Sequence, residues 1–202
     1  MGDDVAALIA AAADFEPDDI LVVSHKVVSK AEGRVVSGDK LEVVLGEAQR
    51  IIRRRGDFVI AETRHGFVCA SAGVDASNAP EASALVLLPD DPDASAARLY
   101  ERLGVAVIVS DSFGRPWRQG TTDVAIGVAG LAPLLDYRGQ ADSKGYELRS
   151  TVVAVADEIA SAAELVKGKI AGVPAAIVRG LAPAGSGTAR ELVLPAERDL
   201  FR

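Results

Sequence analysis

Two short apolar runs, residues 20–23 and 105–109, constrain this chain more than any other feature. Each is rich in β-branched residues, and each stops abruptly at polar side chains. Runs of that length and composition read as buried strands. The first is followed by Ser24-His25-Lys26-Val27-Val28-Ser29-Lys30-Ala31-Glu32-Gly33-Arg34. The second is followed by Ser110-Asp111-Ser112-Phe113-Gly114-Arg115-Pro116-Trp117-Arg118, which reads as a loop. Open sheets commonly place ligands beyond such strand ends, so these two segments are where chemistry is expected first.

The remaining pattern supplies the other elements. Asp3 or Asp4 can cap a helix carrying Val5, Leu8, Ile9 and Ala12, with Pro17 beyond its end. Over 40–55 the apolar set Leu41, Val44, Leu45, Ala48, Ile51 and Ile52 predicts one amphipathic helix with arginines at its C-terminal end. Strands are expected at 58–62, 66–69, 85–88, 124–128 and 174–178. Helices are expected from Asp93 or Ser95 to about Leu103, and from Ser150 or Thr151 to about Val166. The segment 131–145 has no clear pattern. Strands and helices mix without regular βαβ alternation, which predicts an α+β fold of mixed β-sheets with flanking helices. No internal repeat or low-complexity linker divides residues 1–202, so one domain is expected.

Composition narrows the chemistry. Lysine plus arginine is 22 and aspartate plus glutamate is 29, a net charge of −7, which gives no electrostatic reason to bind nucleic acid or an anionic membrane. The single cysteine, Cys69, excludes an internal disulfide and a thiolate-rich metal site, and two histidines leave little for an imidazole site. A metal here is expected to be hard and oxygen-bound, magnesium or manganese. No stretch approaches the roughly 20 apolar residues of a membrane span, and the opening Met1-Gly2-Asp3-Asp4 has the wrong charge for a secretory signal. A cytoplasmic protein is expected.

Asp111 at the end of a buried strand can reach a cation from a fixed backbone, with Ser112 beside it as a weaker oxygen donor; a turn-capping aspartate is the bland alternative. Asp75, within Gly73-Val74-Asp75-Ala76-Ser77-Asn78, is a second carboxylate among small residues, with an Asx turn as its alternative. Were the two to converge, their repulsion would call for a divalent ion. Lys26 and Lys30 after the first strand, and Arg115 and Arg118 after Asp111, offer charge for phosphate or carboxylate. Neither a Walker A sequence nor a Gly-x-Gly-x-x-Gly after a strand occurs. Cys69 reads as a small buried hydrophobe, and His25 and His65 are the available bases. Asp157, Glu158 and Glu164 read as a solvated helix face.

Together with Glu62-Thr63-Arg64-His65-Gly66-Phe67-Val68-Cys69, Ala125-Ile126-Gly127-Val128, Ala156-Asp157-Glu158 and Val178-Arg179-Gly180, these motifs in this order resemble the coenzyme F420-0:L-glutamate ligase family, the gamma-glutamyl ligases of deazaflavin cofactor synthesis. The resemblance implies a gamma-glutamyl ligase fold. It also implies GTP-dependent amide formation between coenzyme F420-0 and L-glutamate through an acyl phosphate, with magnesium or manganese and a monovalent cation such as potassium, in a homodimer. Carried over by position, Asp75 and Asp111 resemble ligands of one divalent ion. Ser112 stands where the family usually has threonine on a second ion. His25, Lys26, Lys30, Asn78, Gly168 and Lys169 resemble nucleotide contacts, and Arg115 and Arg118 are candidate contacts to the substrate's anionic groups. The catalytic base is unassigned. Three departures are visible: the segment 34–55 is shorter than expected, the family's first strand is missing before Gly2-Asp3-Asp4, and Lys167-Gly168-Lys169 puts a lysine where some members carry an acidic or amide metal ligand. A protonated lysine cannot ligate. The ending 194–202 resembles the junction to a fused nitroreductase-like flavin domain. The alternatives to a ligase are a metal-dependent nucleotide phosphohydrolase and a non-catalytic module that binds nucleotide or deazaflavin.

Overall fold

The computed structural model describes residues 2–81, 83–181 and 184–200. In chain order its elements are α1 (Val5–Ala12), β1 (Ile20–Ser24), α2 (His25–Ala31), β2 (Val35–Ser37), α3 (Lys40–Glu47), β3 (Ala48–Arg55), β4 (Phe58–Thr63), β5 (Val68–Ala70), β6 (Ala84–Val86), α4 (Pro92–Leu103), β7 (Ala106–Arg115), β8 (Arg118–Ala129), β9 (Leu135–Asp136), β10 (Val152–Val153), α5 (Val155–Lys167) and β11 (Ala175–Val178). The architecture is the expected mixed α+β one, with helices flanking several sheets.

The main sheet has the order β11-β1-β7-β8. The two apolar runs are its neighbouring inner strands, β1 and β7, paired in parallel; β11 and β8 flank them antiparallel. Period-two alternation divides each strand between two cores. Leu21, Val23, Val107 and Val109 face one side with Ala96 and Leu99 of α4. Ile20, Val22 and Ile108 face the other, against Ala156, Ile159, Ala160 and Ala163 of α5. Burying each such large aliphatic side chain is worth about 1.5–3 kcal/mol, which is what fixes the two helices on opposite faces. A smaller sheet, β3-β4-β5, closes a third cluster with Val44, Ala72, Val74, Leu85 and Leu87.

Four expectations are corrected. The 40–55 segment is not one helix: α3 ends at Glu47 and residues 48–55 form β3, paired antiparallel with β4 through the two-residue connection Gly56-Asp57. The helical spacing of Leu41, Val44 and Leu45 is real, but β4 needs a partner strand, and a Gly-Asp link between two runs is a hairpin signal that overrides helical spacing at Ile51 and Ile52. The loop expected after Val109 is strand: β7 continues to Arg115 and returns as β8. Pro116 and Trp117, the latter with φ 56°, make the turn between them. The last long helix starts at Val155, not at Ser150 or Thr151, because the β-branched pair Val152-Val153 joins β9 instead. The helix expected from Asp93 or Ser95 begins at Pro92, capped by the Asp91 carboxylate on the Ala94 amide at 3.0 Å.

Candidate functional site

Strand register builds the site. Parallel pairing from Ile20↔Ala106 to Ser24↔Ser110 sets the two strand ends level, so the next residues, His25 and Asp111, are thrown together. His25 Nε2 lies 3.2 Å from Asp111 Oδ1 but out of hydrogen-bond alignment, while Nδ1 stands 3.3 Å from Ser29 Oγ. His25 is 1% exposed, so it backs the Asp111 carboxylate from inside the protein. Asp111 Oδ1 also accepts the Ser112 amide at 2.8 Å, and Oδ2 accepts no hydrogen bond among the described residues.

Beyond these strand ends lies a cleft of about 300 Å³. Lys26 and Lys30 from α2, Asn78 from the loop before β6, Asp111 and Ser112 from β7, Asp123 from β8, and Lys167, Gly168 and Lys169 from the end of α5 all line it. Two glycines are required by the backbone here. Gly73, at φ 75°, packs so closely on Leu88 that a Cβ would come within 2.6 Å of it, and it sets up the loop carrying Asp75 and Asn78. Gly168, at φ 60°, ends α5 and turns the chain so that Lys167 and Lys169 approach one polar wall.

On that wall Asp123 is the hub. It pairs across the hairpin with Ser112, whose Oγ donates to Oδ1 at 2.7 Å; Oδ2 accepts from Ser110 Oγ at 2.9 Å and pairs with Lys167 Nζ at 2.9 Å. Burial alone would raise the Asp123 carboxyl, but hydrogen bonds from Ser112 and Lys167 and the Lys167 charge hold it below its ordinary value of 3.8. Lys167 is 2% exposed, an ammonium placed inside the protein. Lys169 Nζ donates to Ser112 Oγ at 2.6 Å. Burial, then the Asp123 charge, pushes the Glu164 carboxyl up.

The opposite side repeats the pattern. Lys26 Nζ lies 2.6 Å from Asp75 Oδ2 and donates to Ser77 Oγ at 2.6 Å, while Asp75 Oδ1 accepts the Ser77 amide at 2.6 Å, the geometry of an Asx turn. Burial works to raise the Asp75 carboxyl, and the hydrogen bonds from Lys26 and Ser77 hold it down. Asp75 therefore reaches the cleft through Lys26. Asn78 adopts φ 55°, a conformation asparagine tolerates.

Of the residues singled out from sequence, Lys26, Lys30, Asn78, Asp111, Ser112, Gly168 and Lys169 meet in one cleft, with His25 directly behind it. Arg115 and Arg118 stand at the exposed tip of the β7–β8 hairpin, outside the cleft lining. His65 is a pin: Nε2 reaches the Pro89 and Asp90 carbonyls at 3.0 and 3.1 Å, its ring stacks on Phe67, and burial lowers its pKa. Cys69 is buried, and burial followed by the Asp111 charge pushes its thiol up to about 12, too high for a thiolate nucleophile. Other motif residues are also structural. Arg179 donates to both oxygens of the buried Asp19 at 2.7 and 2.8 Å, and Glu32 accepts from Ser95 and Arg98. Sequence reasoning missed Ser77, Ser110, Asp123 and Lys167, and it read Glu164 as mere surface. The available signal was the turn pair Pro116-Trp117, which folds β8 back beside Ser110 and Ser112.

As a metal site the cleft is selective. Among the described residues no three histidine, cysteine, aspartate or glutamate side chains cluster as a ready-made metal cage. Asp111 fits a hard divalent ion, with a free carboxylate oxygen lining the cleft. The carboxylates of Asp75 and Asp123 are each already held by an ammonium group. No helix among the described residues is long and apolar enough to cross a membrane.

Comparison with known proteins places this geometry in a family. A family profile described as F420-0:Gamma-glutamyl ligase matches residues 1–42 and 37–180. The two matched pieces meet at residues 37–42, the start of α3, within the segment that reads as short in the sequence. The chain is 45% identical over 233 residues, covering all of it and 92% of the relative, to a protein named coenzyme F420:L-glutamate ligase from Methanopyrus kandleri. Proteins of the same name from Methanothermobacter thermautotrophicus and Methanocaldococcus jannaschii are 43% and 40% identical, covering 100% and 93% of this chain and 93% and 86% of those relatives. With a profile matching most of its length and relatives at this identity across nearly their whole chains, the protein belongs to the F420-0:Gamma-glutamyl ligase family, enzymes that form amide bonds.

Proposed function

We propose that this chain joins L-glutamate to coenzyme F420-0 by an amide bond at the expense of GTP. The observation that carries the reading is the level register of β1 and β7, at whose ends a free carboxylate oxygen, four lysines and Asn78 surround one cleft. A carboxylate is a poor electrophile and must be activated before an amine can attack it. In the proposed sequence an oxygen of the F420-0 carboxylate attacks the γ-phosphorus of GTP, the bond to the bridging oxygen breaks and GDP leaves. The amine of glutamate then attacks the acyl carbon of the resulting acyl phosphate, and inorganic phosphate departs as the amide forms.

Phosphoryl transfer of this kind depends on positioning and charge stabilisation, and the chain's own residues are suited to both. Lys26, Lys30 and Lys169 are point charges for the phosphates, and Lys26 can leave the half-exposed Asp75 for a phosphate oxygen. Asn78 and the backbone at Gly168 orient the nucleotide. His25 keeps the Asp111 carboxylate in place from behind. Asp111, with Asp75, would hold magnesium or manganese, which supplies charge neutralisation when bound. Arg115 and Arg118, outside the cleft, are left for the far anionic end of the deazaflavin substrate. No step is assigned to potassium. The same reading includes a homodimer, which the exposed apolar side chains of Leu165, Val166 and Ile170 support.

Mass spectrometry of coenzyme F420-0 incubated with the protein, L-glutamate, GTP and manganese tests the reading, with each component omitted in turn. A gain of one or more glutamyl units that needs every component is expected, and Asp111→Asn or Asp75→Ala should abolish it without unfolding the chain. Phosphate release from GTP that ignores glutamate would point to a phosphohydrolase. Ligand binding without turnover would point to a binding module.

A further inference from the structure

We infer that Glu164 is the general base of the ligation, taking a proton from the ammonium group of L-glutamate so that its nitrogen can attack the acyl carbon. The inference rests on the ligase reading above and deepens it. Among the described residues three carboxylates line the cleft, those of Asp111, Asp123 and Glu164. Both oxygens of Asp123 are taken, Oδ1 by Ser112 and Oδ2 by Ser110 and Lys167. Asp111 Oδ1 accepts the Ser112 amide, and its other oxygen is the one offered to a divalent ion. Glu164 accepts no hydrogen bond from a described residue, and Lys167 Nζ, 3.8 Å from its Oε2, is already bonded to Asp123 and Ser110. The other candidate bases lack access. His25 is buried behind Asp111, His65 is pinned to the Pro89 and Asp90 carbonyls, and Asp75 is held by Lys26 and Ser77; none of the three lines the cleft.

The placement of Glu164 works against local stability and in favour of proton uptake. It stands in the last turn of α5, where the unpaired carbonyls of a helix end disfavour a further negative charge. Its side chain is only 27% exposed, and Asp123 of β8 faces it. Burial first, then the Asp123 charge, raise its carboxyl above the ordinary 4.5 against the opposing charges of Lys167 and Lys169, and a hydrogen bond to Asp123 adds to the rise. Glu164 is therefore more basic than a solvated glutamate. The rest of the lining favours it too. Lys26, Lys30, Lys167 and Lys169 repel an incoming ammonium, and with Asp111 on the ion and Asp123 balanced by Lys167, Glu164 is the lining anion left to draw one in. An ammonium must shed two protons to become an amide nitrogen. Glu164 takes the first, freeing the lone pair that forms the C–N bond, and later returns it to water. As the bond from the acyl carbon to the phosphate oxygen breaks, inorganic phosphate leaves with that electron pair and the second proton.

The test uses Glu164→Gln, which keeps the shape of the side chain and removes the base. The full chain, given coenzyme F420-0, GTP and manganese, is assayed in parallel with L-glutamate, for the amide, and with hydroxylamine, for the hydroxamate. Hydroxylamine is largely unprotonated at neutral pH, so it traps an acyl phosphate without help from a base. In Glu164→Gln, kcat at saturating glutamate should fall about 100-fold, while hydroxamate formation stays within about twofold of wild type. The urea midpoint should be no lower than wild type, because the change removes a charge from beside Asp123 and the helix end. An unchanged kcat, or an effect confined to KM for glutamate, would leave Glu164 at most a binding contact and overturn the inference. Loss of the hydroxamate together with the amide would place Glu164 in carboxylate activation instead, which overturns the inference and leaves the ligase reading intact. A wild-type chain that forms neither product would overturn the ligase reading and the inference with it.

Discussion

The two sides of the cleft are built from the same three residue types and differ in water. Lys26, Asp75 and Ser77 form one cluster, with the lysine 9% and the aspartate 36% exposed; Lys167, Asp123 and Ser110 form the other, at 2% and 5%. Their lysine–carboxylate distances are similar, 2.6 and 2.9 Å. A fully buried ion pair cannot be opened without stranding a charge in a medium that solvates it poorly, whereas a pair whose carboxylate is part-exposed at a cleft can exchange its partner for another anion or for water. The buried cluster therefore locks β7, β8 and α5 together, and the open cluster is the one able to hand its ammonium to a ligand.

The sharpest way to break that contrast is to remove each lysine. Lys167→Met strands Asp123 and should cost about 3–5 kcal/mol in urea denaturation, while Lys26→Met should cost no more than about 1 kcal/mol. The double change Lys167→Met, Asp123→Leu should recover much of the loss, because exchanging a whole buried pair for apolar residues is often neutral. Equal losses from the two single lysine changes would mean that burial does not separate the clusters.

Acid should single out the same buried pair. The folded-state carboxyl of Asp123 is held below its ordinary 3.8 against the opposing effect of burial. Its contribution is therefore complete above about pH 3.8 and is lost as pH falls through the folded-state value. Glu164 runs the other way, since burial and the Asp123 charge raise it. It takes up its proton earlier in the folded chain, which favours folding as pH falls. Urea midpoints followed from pH 6 downward should drop steeply for the wild-type chain at the acid end and less steeply for Asp123→Asn. Identical acid limbs would show that the buried pair carries no linked proton.

The open cluster should reveal itself through ligand and not through stability. Lys26→Met should weaken binding of a GTP analogue about tenfold, with a urea midpoint close to wild type. Lys167→Met, assayed below its own unfolding range, should bind the analogue more nearly as wild type does. Calorimetric titration of both variants distinguishes the roles; a reversed order would assign the ligand to the buried side.

Much of this was legible in the sequence, for physical reasons that also explain what was not. Continuous apolar runs announce buried strands, so β1 and β7 and the polar residues beyond them could be placed without coordinates, and with them Lys26, Lys30, Asp111 and Ser112. Asp123 and Lys167 could not, because their importance comes from pairing across the chain. A regular hairpin closed by Arg115↔Arg118 would set Ser112 opposite Thr121; the irregularity between Gly114 and Arg115 shifts the register and brings Asp123 opposite Ser112 instead. Lys167 sits on a helix whose charged neighbours suggest a solvated face, and only the packing of Ile159 and Ala163 against the sheet turns it inward. The 40–55 segment failed for the opposite reason: local spacing was helical, and the demand of β4 for a partner prevailed.

The smallest expected effect concerns the tip of the same hairpin, where polar residues continue without the buried support that Ser110 and Ser112 have. Arg115 and Arg118 are exposed and take no part in the cleft lining, so Arg115→Ala and Arg118→Ala should each shift the urea midpoint by no more than a surface substitution does, about 0.5 kcal/mol. If they meet the far anionic end of the deazaflavin substrate, each change should raise KM for coenzyme F420-0 a few-fold and leave both kcat and the affinity for the GTP analogue unchanged. An arginine–anion contact made equally in ground and transition states has that signature. A fall in kcat, or a loss of nucleotide affinity, would instead place the hairpin tip over the reacting groups and erase the distinction between the supported and unsupported ends of one hairpin.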